Sequence, residues 1–447
     1  MSLRSRPVNI TQRGAKFVRA TQVSALLLGL LVSTGSPAFA NDNTTGTSSL
    51  VTTVPAPIDS TSPKVGDKLS AAKVEALRAK RTAASLPTLT ETGEALARRT
   101  GATVSVPADG PAQRIAAVDP IADCRAAVDG GERIMDRFHY CYNGNWSYNV
   151  IRLPENVVIG RADFRFTTAA EAPKEAREVI FQTNIDNFQI TGTVTDGPLN
   201  VLGASSGYSN GSESNPACGI ITSADNPTTV YGWQAAAGRT AKHVFYSDRA
   251  SGWGRDAVSR CGTALSLVNG YGPSMVVNTG IRIDSASYVA GTVGSGVFDR
   301  AIPVLWYSKL IGSAHRQVAQ HIYTAQFNPA ATVPAMAGKS VPGAPSSGRP
   351  LTRLYDQWDA EAASQYGKNT AAKNAACAPI RPDPSDGLDC DEYPFASTWE
   401  GAGRGDGNFS VRYVDSSQNR SAGTTLGNWY TNQRIIHRDA FYVAVIG

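Results

Sequence analysis

The chain has 447 residues, 42% hydrophobic and 18% charged, a globular balance with room for more than one domain. Its formal charge of +5 comes from 42 basic against 37 acidic residues, and Arg4, Arg6, Arg13, Lys16 and Arg19 account for the whole excess. The rest of the chain is formally neutral, which excludes the basic pI as a signal for nucleic-acid binding.

Those five cations precede the apolar run Val23 to Val32, and Ala38-Phe39-Ala40 then supplies a small-x-small cleavage pattern. The run is shorter than the ~20 residues a spanning helix needs. Residues 1–40 therefore read as a secretory signal peptide cleaved after Ala40, giving a secreted, extracellular protein without stable membrane association. Residues 41–118 read as a pro-segment or spacer. Ser, Thr, Asn and Pro to about residue 64 predict disorder, and Ala72, Val74, Leu77 and Leu96 predict helix over 69–99, interrupted at Pro87.

From 119 to 312 the texture becomes short β-branched and aromatic runs between Gly, Asn, Asp and Ser, as around Tyr148, Val179, Phe188, Met275 and Ile281. This predicts an all-β, sandwich-like domain of unassigned role. Trp146, Trp233 and Trp253 could bind glycan or stack on bases, with core packing the expected role for most of them. Residues 313–350 read as a short helix carrying Val318, Ile322 and Phe327, followed by a Pro/Gly linker. Six cysteines in an oxidising compartment favour disulfides over zinc, and neighbour pairing would join Cys124 to Cys141, Cys218 to Cys261 and Cys377 to Cys390.

The final domain, 351–447, opens with helical spacing at Leu354, Trp358, Ala362 and Tyr366. Asp383, Asp386, Asp389, Asp391 and Glu392 then crowd into ten residues, an arrangement that needs solvation or a cation. The apolar Tyr393-Pro394-Phe395 that follows implies that the acidic knot is positioned. Asp389 and Asp391 would share one side of a strand, and Glu392 would need a bend to join them. Phosphodiester hydrolysis needs charge neutralisation, an activated water and a stabilised leaving oxygen, which Mg²⁺ or Mn²⁺ supplies from carboxylate and amide ligands. Asp391, Glu392 and Asn419 offer those ligands, and Arg420 offers a bidentate phosphate fork.

The ordered string Cys390-Asp-Glu-Tyr-Pro-Phe-Ala-Ser397, Glu400-Gly-Ala-Gly, Arg412-Tyr-Val, Asn419-Arg-Ser-Ala-Gly423 and Asp439-Ala-Phe-Tyr-Val resembles the NucA/NucB deoxyribonuclease domain of small secreted bacterial DNases. The resemblance implies a small α+β fold with ββα-metal-like logic. It also implies an active site formed by Asp391, Glu392 and Asn419 as catalytic residues and metal ligands, with Asp389 and Arg420 beside them. Cys390 stands where some members carry Arg, so Arg412, Arg420 and Arg434 become the candidate phosphate clamps. Glu400 is either a further acidic ligand or a helix-start residue, and His437 is either a base or, as expected, a surface residue beside Arg438. Residues 401–447 hold five arginines against three aspartates and no lysine, a surface suited to phosphate.

The expected function is metal-dependent endonucleolytic hydrolysis of extracellular DNA with little sequence specificity. One rival is a cell-surface or matrix-binding protein with an inactive nuclease-like domain, and another is a nuclease toxin. An inhibitor or immunity protein is a possible partner of such an enzyme.

Overall fold

The computed structural model describes residues 49–79, 103–104 and 119–447, apart from 195, 208–217, 236–237, 271, 292 and 385. The signal-peptide expectation lies outside the described residues, as does the expected helix beyond residue 79. Contrary to the disorder expected up to residue 64, β1 (Ser49–Thr52) and β2 (Ala56–Pro57) pair with a later strand. Composition misleads here because the neighbouring strand satisfies the backbone groups and Val54 buries its side chain in the turn between them. A helix, α1 (Ala71–Ala79), follows.

The remaining strands of the large sheet are β3 (Thr103–Val104), β4 (Gly131–Ile134), β5 (His139–Leu153), β6 (Val157–Glu171), β7 (Glu178–Gly192), β9 (Gly219–Thr222) and β10 (Ala241–Tyr246). Helix α2 (Pro120–Ala127) leads into this sheet, capped by Asp119, whose carboxylate accepts from the backbone N–H groups of Ile121 and Ala122. Strands β5, β6 and β7 run 15 residues each, longer than the short runs in the sequence suggest. Their register shifts at Val150/Ile151 and at Asp163/Arg165 curl the sheet. A second sheet orders β13 (Ser295–Val297), β12 (Gly272–Asp284), β11 (Ser259–Asn269) and β8 (Leu199–Gly207). Phe166 and Phe181 of the first sheet share one core with Leu265 and Ile281 of the second, as alternating strands require. All three neighbouring cysteine pairs lie at disulfide distance.

The C-terminal region departs from the expected linker. Strand β14 (Val304–Ser308) pairs in parallel with β18 (Ala440–Ile446), the closing strand, and β15 (Leu351–Thr352) pairs with β18 on its other side. The expected short helix is α4 (Arg316–Phe327), and its Val318, Ala319, Ile322 and Ala325 lie in the C-terminal core. Residues 313–350 are therefore built into this region, because the apolar stripe at i, i+1, i+4 and i+7 must be covered. The next helix, α5 (Ala360–Cys377), starts later than the sequence spacing suggests, at the Asp359 cap. The hairpin β16 (Leu388–Tyr393) and β17 (Ser410–Asp415) leads into α6 (Ser416–Asn432). A short helix, α3 (Val230–Ala235), completes the set named here.

Residues 49–447 form one compact unit, and buried ion pairs join its β-rich part to the C-terminal region. Arg137 and Arg282 place guanidinium nitrogens 2.8 and 2.6 Å from the Asp439 carboxylate. Arg434 reaches back to Asp284 at 2.6 Å. Burial alone would raise the Asp439 carboxyl, but Arg282 and Arg137 outweigh it and hold it below the usual range. An Asp439→Asn substitution strips the buried Arg137 of its carboxylate and should lower stability by about 3–5 kcal/mol in urea unfolding.

His243 is fully buried, with Nε2 3.2 Å from the Val201 carbonyl, and burial pushes its pKa from 6.5 down to about 4. The unfolded chain takes up this proton below about pH 6.5 while the folded chain refuses it. Its stabilising effect is therefore complete above that pH and fades as pH falls toward 4. Between pH 7 and 4.5, His243→Gln should lose about 2–3 kcal/mol less stability than the native chain in paired urea titrations.

Candidate functional site

The site grows from the β16–β17 hairpin, whose regular pairing runs from Leu388↔Asp415 to Tyr393↔Ser410. Strand alternation puts Asp389 and Asp391 on one face with Ser410 and Arg412 across from them, and Cys390 and Glu392 on the other. The bend that would turn Glu392 toward Asp391 is absent, since the register stays regular through Tyr393. The two catalytic carboxylates expected at one metal therefore project to opposite faces of the strand.

On the first face Asp391 meets His321, a residue the sequence reading did not single out. His321 Nδ1 lies 2.7 Å from Asp391 Oδ2, and Nε2 lies 2.7 Å from Ser410 Oγ. An ionised carboxylate can only accept, so Nδ1 carries the proton, Nε2 accepts, and the Ser410 hydroxyl donates. The order serine, histidine, aspartate is that of a nucleophilic triad, but Ser410 is fully buried and His321 is 1% exposed. The chain of bonds thus positions the Asp391 carboxylate, and it leaves Oδ1 without a hydrogen-bond partner among the described residues. His321 was detectable in principle as a polar interruption between Val318 and Ile322 on the apolar face of α4.

Helix α6 covers the same face. Its N-cap Asp415 accepts from the backbone N–H groups of Ser417 and Gln418. Ser416 Oγ donates to Asp389 Oδ1 at 3.0 Å, and the Arg420 guanidinium stands 3.4 Å from Asp389 Oδ2. Asn419 lies three residues beyond Ser416 on the same helix and is half-buried. Helix α4 is locked to this assembly because Gln418 Oε1 accepts from the Gln317 N–H and Gln317 Oε1 accepts from the Asp415 N–H, both at 2.8 Å. Asp389, Asp391, Arg412 and Arg420 therefore lie on one side of the hairpin, with His321 and Ser410 buried against Asp391.

The opposite face anchors the hairpin. The Cys377–Cys390 disulfide ties the end of α5 to β16. Lys373, also missed in the sequence, comes within 3.7 Å of Glu392 Oε2. Burial pushes the Glu392 carboxyl up to about 7; Lys373 pulls it down and the nearby Asp391 charge pushes it further up.

Arg434 and His437 belong elsewhere, and Glu400 has its own local role. Arg434 cannot clamp phosphate, because its buried guanidinium is occupied by Asp284 and by the carbonyl of Ala290. Glu400 stands one residue before Gly401, the N-cap of a 3-10 turn over Ala402–Arg404, which bears out its helix-start reading, and its Oε2 accepts from the Thr352 N–H at 2.7 Å. His437 is buried and not at the surface, stacked 4.8 Å from the Trp358 ring, and burial depresses its pKa to about 4.

Beside the Asp391 face lies a cleft of about 520 Å³ that takes in His321 and Ser410 at its floor and extends past Arg412 and Tyr413 to Ile380 and Pro382. No group of three or more His, Cys, Asp or Glu side chains converges on a metal-binding geometry among the described residues. Removing the imidazole, in His321→Ala, leaves a buried carboxylate and a buried hydroxyl unsatisfied at about 1–3 kcal/mol each. Thermal and urea unfolding should both register that loss, and an unchanged midpoint would show that the bond chain does not hold Asp391.

Residues 344–444 match the family model described as Deoxyribonuclease NucA/NucB. No curated protein and no solved structure matches the chain. Among the described residues no helix is long and apolar enough to cross a membrane. The matched segment contains β16, β17, α5 and α6, with Asp389, Asp391, Asn419, Arg412 and Arg420 on them, so the C-terminal region of this chain carries a deoxyribonuclease NucA/NucB domain.

Proposed function

We propose that the protein is a secreted, metal-dependent endonuclease that hydrolyses DNA phosphodiester bonds with little sequence specificity. The observation that carries this reading is the placement of Asp391 and Arg412 on one face of the β16–β17 hairpin, with Asp391 held by a buried histidine and Arg420 beside Asp389; the helical spacing from Ser416 supports adding Asn419 to them. Strand, strand and helix in that order agree with a ββα-metal type of site. Three disulfides suit an oxidising, extracellular setting.

The donor chemistry fits Mg²⁺ or Mn²⁺. Asp391 Oδ1 and the Asn419 amide oxygen are hard ligands, few enough to leave room for water and a substrate phosphate, and no thiol is free to favour a softer ion. Asp391 and Asn419 would hold the cation. A bound cation supplies charge neutralisation at the phosphoryl group and stabilisation of the leaving oxygen.

The protein's own groups do the rest. His321 donates from Nδ1 to Asp391 Oδ2 and so fixes the other oxygen outward. Arg412 and Arg420 are exposed and attract the phosphate backbone, and Arg420 also balances Asp389. Glu392, on the far face with Lys373 and the disulfide, braces the strand. Arg412 and Arg420 are suited to phosphate, which is the same at every base, and this supports low sequence specificity.

Plasmid nicking by the purified chain tests this. Cleavage should require Mg²⁺ or Mn²⁺, stop with EDTA, and fall at least ~100-fold in Asp391→Ala and Asn419→Ala, the scale of losing a transition-state electrostatic contact. Glu392→Gln should retain more activity than either. A loss as complete as that of Asp391→Ala would return Glu392 to the metal, and DNA binding without cleavage under all conditions would overturn the nuclease reading.

A further inference from the structure

We propose that the cleft beside Asp391 is a nucleobase subsite, and that the preferred substrate is therefore single-stranded DNA. This rests on the nuclease reading for its orientation but on separate residues for its content. The cleft follows the outer edge of β17. That edge is bridged at Val411, whose N–H donates to the Val333 carbonyl at 2.8 Å, and at Asp415, whose N–H donates to Gln317. Between those two ties the cleft opens over Arg412 and Tyr413.

Its lining is mixed in chemistry. Arg412, the register partner of Asp391, is exposed on it. Thr324 and Thr332 line it too, and so do the apolar Ile380, Pro382, Leu388 and Tyr413, of which Leu388 and Tyr413 lie round the β17 edge on the Cys390 side of the hairpin and Ile380 is 36% exposed. A phosphate held at Arg412 would leave the attached nucleoside within reach of these apolar groups, which favour a flat ring over a charged group.

A base in a duplex has both faces stacked and its edge paired, so it reaches such groups only after unstacking at a cost of a few kcal/mol. A base in a single strand is already free. Contact with an aromatic and apolar platform is then worth about 1–3 kcal/mol per base irrespective of its identity, which is roughly 5- to 150-fold in affinity. These groups therefore separate strand states without separating sequences.

The test uses the full chain in EDTA, where binding is read without cleavage, by fluorescence anisotropy. The probes are a labelled single strand, the duplex of the same sequence, and the same strand with abasic positions, which keeps every phosphate and removes bases. The ordinary strand should bind about tenfold more tightly than the abasic strand and than the duplex. Ile380→Ser, a change at an exposed position outside the proposed catalytic groups, should weaken the ordinary strand and leave the abasic strand unchanged. Equal binding of ordinary and abasic strands, a parallel loss on both in Ile380→Ser, or no binding of any probe would overturn the subsite. The expected binding pattern without plasmid nicking would instead overturn the nuclease reading and leave the subsite standing.

Discussion

The buried carboxylate of Asp439, gripped by Arg137 and Arg282, is the contact on which the rest of the molecule depends. It sits one residue before β18, the strand that carries both β14 and β15, so its position sets the sheet under the C-terminal core. The reciprocal pair Arg434–Asp284 closes the same junction from the other direction. The Arg137 and Arg282 guanidinium groups are tolerated in this buried interface because carboxylates and carbonyls take up most of their donors, with Arg137 Nε left over. Tyr288 stacked on Tyr355 at 3.8 Å and the packing of Ile436 against Val258 and Val289 exclude water around them.

That junction changes the meaning of the family match. The matched segment begins at residue 344, yet β14 and α4 lie before it and are part of the same core. His321, which orients Asp391, comes from this unmatched stretch. The nuclease-like region is thus completed by upstream sequence and clamped to the β-rich part, so its site geometry is set by the whole compact unit.

Within the site, the two faces of one strand carry different burdens. Asp389 and Asp391 face α4 and α6, where charge and hydrogen-bond donors are concentrated. Cys390 and Glu392 face α5, where a covalent bond and Lys373 hold the strand. A period of two makes this division unavoidable once the strand is regular. Dense acidic sequence is consequently spread over two environments.

The sequence by itself was sufficient for what depends on short-range pattern: a β-rich middle, neighbouring disulfides and the Asn419-Arg420 motif, though not the hairpin or the helix that carry the acidic cluster and that motif. The ordered motifs between Cys390 and Asp439 carried the family because their residues are close in the chain and chemically specific. Contacts across long separations were not legible. His321 lies 70 residues from Asp391 and Arg434 lies 150 from Asp284, and no local periodicity encodes either meeting. Arg434 and His437 looked available because composition cannot show burial, and Glu392 was set beside Asp391 on an expected bend that the regular strand does not make. Tertiary structure decided these cases, since the cost of burying a charge without a partner selects which arginine is locked in the interior and which remain exposed to meet phosphate.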